Sequence, residues 1–124
     1  KMKKVLFAIV ALLFSVTAAN ANVTGQFTTE VQNREPVDVV DVLVKENRDN
    51  ITFFTTITEM EGQKVKHVWK NGDNEIYSIS FNVGANRWRV WSSVSIRHVN
   101  PGDKLTVDVM SGDNVIHSHS IMVE

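Results

Sequence analysis

The sequence predicts an all-β fold: an immunoglobulin-like antiparallel β-sandwich of about seven or eight strands, preceded by a helical signal peptide. Three observations predict it. From residue 22 onward, apolar side chains recur at every second position, the period at which a strand returns to one face. Polar clusters rich in Gly, Asn and Asp interrupt that alternation about every ten residues, the rhythm of a sandwich. After residue 21, no segment carries apolar side chains at helical spacing. A closed barrel is the alternative that the same alternation allows.

The first 21 residues read as a leader. Met2, Lys3 and Lys4 give a short positive start. Residues 5–16, "VLFAIVALLFSV", are apolar except for Ser15, and "TAANA" spaces Ala19 and Ala21 as A-x-A. The apolar run falls short of the roughly 20 residues that a transmembrane helix needs. Cleavage after Ala21 is expected to leave residues 22–124 as a single β-sandwich domain. That product is periplasmic or secreted, with no membrane anchor.

The strands follow in order. "VTGQFTTEV" places Val23, Phe27 and Val31 on one parity. "VDVVDVLV" is rich in β-branched residues and follows Pro36, which suits a strand start or an edge. The charged stretch "KENRDN", residues 45–50, reads as a solvated connection. "ITFFTTITEM" sets Ile51, Phe53 and Ile57 against Phe54. "VKHVWK" aligns Val65, His67 and Trp69, and Asn71 with Gly72 marks a hairpin. "EIYSISFNV" returns with Tyr77, Ile79, Phe81 and Val83. "RWRVWSS" forms the next strand. After a turn at Pro101 and Gly102, "KLTVDVM" alternates Leu105, Val107 and Val109, and a turn around Gly112 leads into "VIHSHSIMV". Trp88, Phe81, Ile79, Val107 and Trp69 are expected among the most buried side chains.

Composition narrows the function. The 124 residues carry a formal net charge of −1, and loss of the three leader lysines takes it to −4. A mildly acidic exported chain lacks the basic footprint of nucleic-acid binding. There is no Cys, so the fold stands without disulfides.

The segments "FTTEVQNREPVDVVD", "FFTTI", "VKHVWKNGDNEIYSISFNVGANRWRVWSS" and "GDKLTVDVMSGDNVI" resemble the bacterial domain-of-unknown-function family 2914. "HVWKNG" and "RWRVWSS" are the most specific parts. Where members often carry a third Trp near the closing strands, this chain has Lys104 and Leu105. The resemblance implies an exported β-sandwich and implies no activity.

Candidate chemistry centres on the Arg/Trp run. On a strand, Trp88, Val90 and Ser92 share one face, and Arg87, Arg89 and Trp91 share the other. Arginines flanking an exposed Trp offer a bidentate fork beside a stacking plane, suited to an anionic or sugar ligand. The plainer alternative is that Trp91 covers a margin of the sheet under the Arg stems. Arg89 and Trp91 are placed outward because two buried arginines would each require an acid, and the neighbouring sequence offers few. On that reading, Arg89→Ala and Trp91→Ala leave stability unchanged. His67 and Trp69, on the adjoining run, are candidate contacts of the same site; a half-buried histidine bonded to backbone is the alternative.

His117 and His119 form the only metal-like pair, and His98 has no placeable partner. A site needs three or four ligands, so the pair is assigned to the solvent face of an edge strand and no metal or other cofactor is expected. No nucleophile elbow, HExxH motif or phosphate loop appears. The sequence therefore predicts an exported non-catalytic binding or interaction module of the cell envelope with a protein or glycan partner. The alternatives are a carbohydrate-binding module using Arg89 and Trp91, and a small hydrolase with an unrecognised site.

Overall fold

The computed structural model describes residues 22–124; the expected leader, residues 1–21, lies outside them. Nine strands are present among the described residues: β1 (Asn22–Gln32), β2 (Glu35–Val39), β3 (Val42–Leu43), β4 (Asn50–Thr58), β5 (Lys64–Asn71), β6 (Asn74–Asn82), β7 (Arg87–Ser95), β8 (Lys104–Ser111) and β9 (Asn114–Val123). They make two open sheets, ordered β2-β1-β4-β7 and β3-β9-β8-β5-β6. The arrangement is sandwich-like, and neither sheet closes on itself as a barrel would.

The strand count exceeds the expected seven or eight because "VDVVDVLV" is not one strand. Its first part is β2 in the four-stranded sheet. The chain then switches sheets at Val40 and Asp41, and β3 pairs in parallel with the end of β9. All other strand pairs are antiparallel. The hairpins joining β5 to β6 and β8 to β9 share one construction. Gly72 and Gly112 take φ values of 62° and 61°, each at the first position of a two-residue turn. A side chain is disfavoured there, so the "NG" and "SG" signals mark these turns.

The core lies where the inward parities of both sheets meet. Phe27, Ile51, Phe53, Ile57, Val65, Trp69, Leu105, Val107 and Val109 are buried there. Trp69 and Val107 match the expectation. Trp88, Ile79 and Phe81 do not: all three point inward but are only partly buried. The cause is topological. β6 and β7 are the outer strands of their sheets, so the margin between them is less well covered than the centre.

The β1–β2 hairpin sets the shape of the candidate site. β1 runs beside β4 as far as Thr28, which pairs with Thr52; beyond it, residues 30–32 pair only with β2. Asp38, across from this departure, has φ 56°, and the tip residues Asn33 and Arg34 both have positive φ, 53° and 62°. The Thr28 hydroxyl bonds the Val37 carbonyl across the bend. β2 lies at one margin of the four-stranded sheet and β7 at the other. Even so, the hairpin tip touches Arg89 of β7. The hairpin must therefore fold back across the outer face. That path accounts for Phe54, an outward-facing residue that is only 4% exposed.

Candidate functional site

β7 organises two clusters, one on each face. Outward, Arg87 is exposed, while Arg89 and Trp91 are half-buried. Trp91 pairs across the ladder with Phe54, and their rings stack at 5.8 Å and 14°. Arg89 Nη1 donates to the Arg34 carbonyl at 3.0 Å and to Glu35 Oε2 at 2.6 Å. The Arg34 guanidinium lies over both tryptophans, 6.0 Å from the Trp88 ring and 5.9 Å from the Trp91 ring, within cation–π range. The outward placement of Arg87, Arg89 and Trp91 thus holds. The scarcity of acids in the neighbouring sequence does not leave Arg89 unpaired. Glu35, 54 positions upstream, supplies the partner because the hairpin carries it across the sheet.

Inward, Ser92 meets His67 and Trp69, both 0% exposed. His67 Nδ1 lies 2.7 Å from Ser92 Oγ, His67 Nε2 lies 3.0 Å from Thr55 Oγ1, and Trp69 Nε1 donates to Ser92 Oγ at 2.8 Å. Thr55 gives its proton to the Val90 carbonyl at 2.9 Å. Only one assignment satisfies every atom with a neutral ring. Thr55 has no proton left, so His67 Nε2–H donates to it. Nδ1 then accepts from Ser92, which accepts from the indole. Burial lowers the His67 pKa from the ordinary 6.5 to about 4, which keeps the ring neutral.

The five candidate residues therefore separate. Arg87, Arg89 and Trp91 lie together on the outer face. His67 and Trp69 lie between the sheets, on the far side of β7, where a surface ligand cannot touch them. The hydrogen-bonded Ser92 and His67 resemble a nucleophile with its base. However, Ser92 is only 6% exposed, His67 is fully covered, and His67's second nitrogen faces a threonine rather than an acid.

Sequence reasoning passed over two features. Arg34, at the tip of the β1–β2 hairpin, joins the outer cluster; the polar "NRE" between two apolar runs was the available signal. The charged stretch after β3 is more than a connection. Lys45 and Arg48, with Arg97 after β7 and the acids Glu46, Asp49 and Glu124, line an open surface pocket of about 730 Å³.

The two most specific sequence motifs thus supply one core network and half of one surface cluster. Residues 62–120 match DUF2914. That family is described as a protein of unknown function. The DUF2914 match takes in β5 through β8 and most of β9. It leaves out the "NREPVD" hairpin, to which the resemblance had also extended. No curated protein and no solved structure matches the chain.

Proposed function

We propose that this protein is an exported, non-catalytic binding module of the cell envelope, and that it engages an anionic protein or glycan through the outer cluster of Arg34, Arg87, Arg89 and Trp91. The observation that carries the reading is that Arg34, from the hairpin tip, lies over Trp88 and Trp91 while its carbonyl accepts from Arg89 of β7. Among the described residues, Glu35 is the only carboxylate within ion-pair distance of these arginines, and it engages Arg89 alone. Arg34 and Arg87 keep their guanidinium groups available for a carboxylate or phosphate fork. Arg34 is also held at a positive φ that costs a non-glycine residue about 1–2 kcal/mol, and such strain gathers at functional sites.

The reading includes cleavage of the leader, a single immunoglobulin-like domain over residues 22–124, and a periplasmic or secreted location. The two packed sheets, antiparallel except for the short β3–β9 pairing, support the domain type. A neutral-sugar site on Trp91 has less support, because Phe54 stacks on that ring and Arg34 lies over it. A hydrolase built on Ser92 and His67 would need access that the core denies it.

The test is Trp fluorescence titration with two polyanions, a polyglutamate peptide and a polyuronate glycan, at low and high salt. Saturable, salt-sensitive quenching by either one is expected, and it should be lost in the Arg34→Gln/Arg87→Ala variant with its melting temperature within a few degrees of wild type. No response to either polyanion at low salt, or an unchanged response in the variant, would overturn the reading.

A further inference from the structure

β9 presents His117 and His119 at alternate positions, and the solvent-face assignment for this pair fails. The His119 ring lies 5.5 Å from Phe27 and 6.0 Å from Phe53, both core residues, so the pair faces the gap between the sheets. That gap is open on one side. β3 pairs only with Met122 and Val123, leaving residues 114–120 with β8 as their one neighbour in the sheet. His119 is exposed and His117 half-buried. The two rings are parallel within 13°, with centres 5.9 Å apart. His117 Nε2 is sealed from solvent and has no hydrogen-bond partner. An orphaned buried nitrogen calls for an explanation.

We propose that His117 and His119 form a two-imidazole site for one copper(II) ion, with water completing the coordination from the exposed His119 side. Strand geometry supplies the spacing, since alternate residues stand about 6.6–6.8 Å apart on one face. Imidazole nitrogens at roughly 2.0–2.1 Å from a metal hold ring centres no more than about 6–6.5 Å apart. The observed separation falls inside that span, and the exposed His119 ring can turn to present its nitrogen. No set of three or more His, Cys, Asp or Glu suited to a metal occurs among the described residues. Two nitrogens plus water oxygens suit tetragonal copper(II), the divalent ion that binds such donors most strongly, better than a closed tetrahedral zinc site.

The test uses the full chain titrated with copper(II) sulfate in a non-coordinating buffer, followed by electron paramagnetic resonance. One copper per chain with hyperfine structure from two imidazole nitrogens is expected. His119→Asn and His117→Asn should each weaken binding at least tenfold, His98→Asn should leave it unchanged, and zinc should bind at least tenfold more weakly than copper. A native spectrum lacking two imidazole nitrogens overturns the proposal without reliance on any variant. So does wild-type affinity in His119→Asn, an exposed position where the substitution leaves the core intact.

Discussion

Acidification should destabilise this protein through His67 before its carboxylates titrate. In the fold the ring is neutral, donating to Thr55 and accepting from Ser92, with a pKa near 4 against 6.5 when unfolded. Above pH 6.5 both states are neutral and the histidine adds no pH dependence. As pH falls below 6.5, the unfolded chain takes up a proton that the native state refuses. Stability is therefore lost between pH 6.5 and 4, with a slope approaching 1.4 kcal/mol per pH unit. The full difference is about 3 kcal/mol, a large share of the roughly 5–15 kcal/mol that holds a domain together. Urea unfolding at pH 7.5, 6.5, 5.5 and 4.5 reads the slope. His67→Leu, although less stable at pH 7.5, should have a markedly shallower one. Nitrogen-15 spectra of the imidazole should show the proton on Nε2 and no titration of this ring above pH 5. A midpoint near 6.5, or an unchanged slope in His67→Leu, would refute the buried neutral relay.

Three further outcomes follow from the geometry. Ser92→Ala strips His67 Nδ1 and Trp69 Nε1 of their partner, so urea unfolding should register a loss of about 2–4 kcal/mol; a loss under about 1 kcal/mol would mean that water enters the core. Arg89→Ala should cost only the 0.2–1 kcal/mol or so of an exposed ion pair yet speed amide exchange selectively at Glu30 and Val37, whereas Trp91→Ala uncovers Phe54 and should cost about 1–3 kcal/mol, contrary to the neutral effect expected from sequence. Gly25→Ala drives a methyl group into the Phe53 ring, and a fall in melting temperature equivalent to about 1–3 kcal/mol is expected from calorimetry.

The strands were legible because each carries its own period. "KLTVDVM" buries Leu105, Val107 and Val109 as alternation requires, and the Gly of "NG" marks a real hairpin. Parity also placed Trp88 inward and Trp91 outward. Depth was not legible, because parity says which way a side chain points and not whether its strand is central. Ile79 and Phe81 have the pattern of a core strand and the exposure of an outer one. The candidate site failed for a related reason. Its acid and one of its cations arrive on a hairpin that folds across the sheet, and nothing local to β7 announces them. His67 and Trp69 looked like polar handles because their partners, Thr55 and Ser92, are small hydroxyl residues with no motif of their own.

The strand order also fixes where this chain can be cut. β7 lies within the span that matches DUF2914, yet its ladder partner is β4, which lies outside. Of the four-stranded sheet, residues 62–120 would retain β7 alone, with its β4-pairing edge bare and the relay missing Thr55. Such a fragment would display unpaired backbone along a tryptophan-bearing strand, a template for aggregation. The unit of sequence kinship here is smaller than the unit that folds, and expression of the matched span alone should yield insoluble protein.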